Sequence, residues 1–144
     1  MKKSVMVLAL GAMLGSCGGG DASENAVPEK VGSENTALEN ALEEVAKIDT
    51  ATLNTPCACG EAAIPVMDAM IIALNKVSGM KDAAEEDKNA IIKKYQGVQM
   101  KMYEIEDKCI GDLALEMAGE DCKAKEVVPE KLADVMEASK ALRR

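Results

Sequence analysis

The sequence has no histidine, no tryptophan and no phenylalanine, and only two tyrosines among 144 residues. Without histidine there is no Ser/His/Asp or Cys/His nucleophile–base pair, no imidazole metal ligand, no axial haem histidine and no switch at physiological pH. The chain is also short of positive charge, with 17 Lys and Arg against 25 Asp and Glu. It therefore lacks the cationic face that neutralises phosphates and the rings on which bases stack, which excludes nucleic acid as a natural partner. The same scarcity of rings argues against carbohydrate or large-cofactor recognition by stacking. A core must be built from Leu, Ile, Val, Met and Ala.

What the chain does contain begins with an address. Lys2 and Lys3 precede an apolar run from Val5 to Leu14, the charged and hydrophobic regions of an export signal. Ten apolar residues are too few to cross a bilayer, which takes about 20. Leu14-Gly15-Ser16-Cys17 follows and resembles the lipobox of bacterial lipoproteins, with Gly15 the one unusual residue. The resemblance implies cleavage after residue 16 and lipidation of Cys17, with a diacylglyceryl group on sulfur and an acyl chain on nitrogen. Several chains hold a protein on a membrane where one gives only marginal attachment, at about 0.8 kcal/mol per buried methylene.

Loss of residues 1–16 removes two lysines, so 15 basic against 25 acidic residues leave a charge of −10. Anionic headgroups repel such a domain, and attachment rests on the acyl chains. Residues 17–35, the anchor cysteine followed by GGGDASENAVPEKVGSEN, show no apolar periodicity. They read as a flexible acidic tether reaching about 20–25 Å. Gly18, rather than an acid, follows the anchor cysteine, which points to the outer membrane.

From Thr36 to Arg144 the spacing is helical. Thr36 and Glu39 form a capping box ahead of Leu38, Leu42, Val45 and Ala46. A second stripe, Ile64, Met67, Ile71, Leu74 and Ser78, predicts a helix with Pro65 in its first turn and Gly79 as its stop. Asp82 and Glu85 open a third, with Ile91, Tyr95, Val98, Met102, Ile105, Cys109 and Leu113 inward, running towards Gly119. Its Gly97 and Gly111 suggest close helix contact or a bend. Pro129 starts a fourth, with Leu132, Val135, Met136, Ser139 and Leu142 inward and Lys140, Arg143 and Arg144 at its C-terminal end. No strand pattern competes. The expectation is all-α: a small antiparallel bundle of about four helices with two disulfides.

The disulfides follow from the remaining cysteines, Cys57, Cys59, Cys109 and Cys122, an even number in an exported domain. One intervening residue is too few for an unstrained Cys57–Cys59 bond. Pairing Cys109 with Cys122 would force that bond, so two connectivities remain, both linking the segment before the second helix to the segment around the end of the third. Folding the hairpin about Met80 sets residue 60 level with about residue 100. Matching inner to inner then favours Cys59 with Cys109 and Cys57 with Cys122. Loops of about 50 to 65 residues each contribute about 4 kcal/mol in the chain-entropy model.

A competing reading makes the four sulfurs a thiolate site for Zn or Cu(I), assisted by Met67, Met70, Met100 and Met102, or a redox-active pair. The C-x-C spacing and an oxidising compartment weigh against it. The acidic runs Glu43-Glu44, Glu85-Glu86-Asp87, Glu104, Glu106-Asp107 and Glu120-Asp121 have no calcium-loop spacing and suit a solvated surface. No phosphate-binding loop is present, since Gly18 to Gly20 lie in the tether.

The mature part is similar to small acidic helical lipoproteins of Gram-negative envelopes that carry C-x-C and two later cysteines. That similarity implies a location and no activity. The expectation is a lipid-anchored envelope protein, attached to the membrane through Cys17 and acting by protein contact or structure. No catalysis, cofactor or nucleic acid is expected. Metal or thiol handling through Cys57, Cys59, Cys109 and Cys122 is the alternative.

Overall fold

A computed structural model describes residues 28–143. The export signal, Cys17, the tether up to residue 27 and Arg144 lie outside the described residues. Four helices follow in order: α1 Pro28–Ala46, α2 Pro56–Gly79, α3 Glu85–Lys108 and α4 Ala124–Ala141. Short 3-10 turns occupy Thr50–Thr52, Gly111–Leu113 and Leu115–Met117, and no strand occurs among the described residues. Packing is described for the unit that begins at Gly32.

Several boundaries differ from those expected. Helix α1 opens at Pro28, whose fixed backbone angle suits a first helical position, so residues 28–35 are helical and the Thr36–Glu39 pair falls inside the helix. Helix α2 starts nine residues before Pro65. The Thr55 hydroxyl caps it by accepting a hydrogen bond from the Ala58 N–H at 3.2 Å, and Pro56 is its first residue. Cys57 and Cys59 therefore sit in its first turn. Pro65 is interior, where its missing N–H removes one rung of the ladder. The helix includes Gly79, and Met80 is its cap.

Helix α3 starts at Glu85 without a side-chain cap, so Asp82 does not serve as one, and Glu85, Glu86 and Asp87 complement its dipole. It stops at Lys108 instead of running on towards Gly119. Gly111 sits at φ +75°, a left-handed conformation that glycine adopts without a Cβ clash. The reversal expected at Gly119 thus begins at Gly111. Pro129 proves to be the sixth residue of α4, not the first.

Helix α2 is the centre of the assembly. Its Val66, Ala69 and Ala73 are completely buried, with Met67, Met70 and Leu74 nearly so. At 24 residues and mean hydropathy 1.7 it is long and apolar enough to cross a membrane by length and composition, and half of its most apolar stretch is buried.

Consecutive helices run antiparallel. Leu38 of α1 meets Ala73 of α2 and Ile91 of α3, while Ala41 and Glu44, further along α1, lie beside Pro65 and Asp68, further back on α2. Helix α4 runs parallel to α2. Ala124 approaches Gly60, Lys131 pairs with Asp68 at 2.5 Å, and Ala138 and Ala141 flank Ile71 and Asn75.

The inner face of α4 corrects the sequence reading. Ala124, Val135 and Ala138 are buried, whereas Leu132, Met136 and Leu142, expected inward, are exposed. The inward line passes through Lys131, whose ammonium reaches Asp68. A charged residue on the buried stripe disguised that stripe.

Candidate functional site

Two covalent ties organise the end of the bundle where α2 begins. Cys57 is bonded to Cys122 and Cys59 to Cys109, with Cα separations of 5.6 and 6.0 Å. This is the inner-to-inner arrangement. Its register differs from a fold about Met80 because α2 ends at Gly79 and α3 begins only at Glu85. The hairpin pivots about residue 82, which sets Cys59 level with about residue 105, one turn from Cys109, rather than with residue 101.

The ties also draw the chain after α3 across the first turn of α2. Ala118, Cys122 and Ala124 form a small buried cluster there, joined by Cys57, Ile64, Leu115 and Val128. Gly60 makes this approach possible: a Cβ on it would lie 2.6 Å from the Ala124 Cβ and 2.7 Å from a Leu115 methyl. The Lys125 ammonium donates to the Ala118 carbonyl at 2.8 Å and closes the loop. A Cβ on Gly97, by contrast, would meet nothing within 4 Å, so of the two readings of that glycine, close helix contact or a bend, the first does not hold.

Both α3 and α4 pack extensively on α2 and scarcely on each other. The seam between them is an open apolar groove of about 480 Å³, within the ordinary range for ligand sites of about 300–1,000 Å³. Gly60, Ala63, Met67 and Met70 of α2 form the floor. Met102 and Ile105 from α3, with Ile110 just beyond its end, face Val128, Leu132 and Val135 from α4, and Leu113 and Leu115 close one end. Cys59 and Cys109 also line it, so one disulfide is part of the groove wall.

Polarity is confined to one side. Gln99, Tyr103 and Glu106, the groove's polar side chains, all belong to α3. Glu106 is the sole charged residue in the lining, and it makes no ion pair among those of the described residues. Elsewhere on α3, burial among apolar neighbours pushes the Tyr95 hydroxyl above its ordinary pKa, with a smaller push from Tyr103. The Asp68 carboxylate likewise holds the Lys131 ammonium above its ordinary value, chiefly through their hydrogen bond.

The four cysteines read as a thiolate set are all in disulfides, and a bonded sulfur offers no thiolate. No group of three His, Cys, Asp or Glu side chains is placed to hold a metal ion among the described residues. Of the methionines considered with the cysteines, Met67, Met70 and Met102 share the groove, while Met100 is exposed. The acidic runs are exposed, and Glu106 alone among them also lines the groove.

The sequence reading missed the groove's outer wall. Gln99, Tyr103 and Glu106 follow one another at helical spacing on α3, with Ile110 just beyond its end, a second line beside the inward stripe. Two of the four are Gln or Glu, which hid it. No family model matches the chain, and neither the curated proteins nor the solved structures provide a match.

Proposed function

We propose that this is a lipid-anchored protein of the bacterial envelope, on the outer membrane, whose helical domain acts by binding rather than catalysis, with the α3–α4 groove as its contact surface. The observation that carries the binding role is the groove itself: an open, apolar seam between two helices, with polar side chains along one wall only. Such a surface gains free energy when it is covered. A chain without histidine brings no imidazole base to it.

The address is supported by Lys2, Lys3, the apolar run Val5 to Leu14 and the lipobox-like Leu14-Gly15-Ser16-Cys17. Two disulfides suit an oxidising compartment. The −10 charge of the mature chain keeps the domain off anionic headgroups, leaving the acyl chains to hold it.

Intact mass of the exported protein, with and without alkylation, tests both parts. The expected product begins at Cys17, carries acyl chains that hydroxylamine and base treatment distinguish by linkage, and takes up no alkylating agent until it is reduced. Replacing Cys17 by Ser abolishes incorporation of an alkyne-tagged palmitate. An unacylated product overturns the anchor. Four reactive thiols retaining copper or zinc would replace the binding role with metal or thiol handling.

A further inference from the structure

We infer that the α3–α4 groove is a docking seat for one amphipathic helix of a partner protein, with a basic residue beside its apolar stripe. The inference rests on the binding role proposed above and names the class of partner.

Length is the first argument. Gln99 to Cys109, along α3 and its C-terminal cap, line the groove over ten residue steps and Cys59 to Met70 on α2 over eleven, about 15–16 Å at 1.5 Å per residue. That is about three helical turns, enough for anchors at i, i+3 or i+4 and i+7.

The rims are the second. Tyr103 is 57% exposed, Ile110 74% and Leu132 53%, with Met136 at 54% one turn beyond Leu132 on α4. A small ligand lying in the groove leaves these outer apolar surfaces wet. A helix resting on both rims covers them together, and Tyr and Met are residues enriched in protein interfaces. The methionine side chains on the floor can re-pack around anchors of differing shape.

Charge sets the flank of the partner. Glu106 stands in the wall without an ion pair, in a chain of net charge −8. A Lys or Arg beside the partner's apolar stripe meets it. The stretch between Cys17 and α1 supplies no such residue, because residues 18–27 contain no base. A second copy would set groove against groove and Glu106 near Glu106.

The test titrates oxidised full-length protein into a fluorescein-labelled model peptide of about fourteen residues, with leucines at i, i+3, i+4 and i+7 and lysines between them. Its partners are a peptide of identical composition with the leucines dispersed, and dodecyltrimethylammonium as a simple cationic amphiphile. The patterned peptide is expected to bind at least about tenfold more tightly than the dispersed one. Ile110→Lys and Leu132→Lys, both at exposed positions, each weaken it about tenfold without change in far-ultraviolet dichroism. Glu106→Gln weakens it a few-fold and flattens its salt dependence, as expected for loss of one partly exposed charge pair.

Equal binding of the two peptides overturns the proposal, since only net charge would then be recognised. Saturation by the amphiphile with no peptide binding overturns the helix while leaving a binding groove. Binding of neither probe removes the groove's binding role itself. Self-association at micromolar concentration that is lost in Leu132→Lys overturns the proposal in favour of a second copy.

Discussion

At the residue scale, glycine shows how far local rules and packing diverge. Gly60 and Gly97 both sit inside helices, where glycine costs about 0.5–1 kcal/mol relative to alanine. Around Gly97 there is open space, so Gly97→Ala is expected to stabilise the protein by about that amount in urea unfolding. Gly60 lies where the Cβ of Ala124 and a methyl of Leu115 would be 2.6 and 2.7 Å from an added Cβ. Gly60→Ala must push helix α4 or Leu115 aside, and a loss of about 1–3 kcal/mol is expected. A stabilised Gly60→Ala would mean that α4 does not approach α2 so closely. Nothing in the sequence separates Gly60 from Gly97, because helix spacing reports which residues lie inward and says nothing of how near the neighbouring backbone comes.

At the scale of elements, the two disulfides are nested, Cys59–Cys109 inside Cys57–Cys122. With the inner bond formed, the outer one closes a ring of only about 15 residues, worth about 3 kcal/mol against about 4 for the first. Replacing Cys57 and Cys122 by Ala is therefore expected to cost about 3 kcal/mol, and replacing all four cysteines about 7, most of a typical domain stability of about 5–15 kcal/mol. Denaturant unfolding of the two variants measures the difference. The outer bond is also what holds residues 110–123 across the start of α2, so hydrogen exchange in that segment is expected to rise first when it alone is removed. Equal protection there with and without the bond would show that Leu115, Ala118 and Ala124 suffice to dock it. Helix α4 illustrates the limit of stripe reading. A helix packed on one neighbour buries a narrow line, and on α4 that line includes Lys131, satisfied by Asp68.

For the whole molecule, the absence of histidine and the bonding of the four domain cysteines leave no group with an ordinary pKa near neutrality on the domain's side chains. Stability is expected to be level from about pH 6 to 9. Lys131 and Tyr95 both have folded pKa values raised above their ordinary values of 10.5 and 10.0. The native state then binds more protons than the unfolded state as pH rises past those values, so stability falls above about pH 10. Urea midpoints measured across that range check this, and a midpoint that rises above pH 10 contradicts it. The helical class, the stripe of α3 and the placement of all four cysteines at one end of a hairpin were legible in residue order alone, because period, small loops and cysteine spacing are local quantities; on α2 the expected line held Met67 and Leu74 but missed the fully buried Val66, Ala69 and Ala73. Two things were settled only in three dimensions: α4 lies parallel along α2, and α3 and α4 stand apart with a groove between them. Both depend on where the chain reverses after Lys108, which Gly111 and the Cys57–Cys122 bond decide together, and on which faces then remain uncovered. Periodicity names the faces of a helix; only the packed structure says which of them has a neighbour.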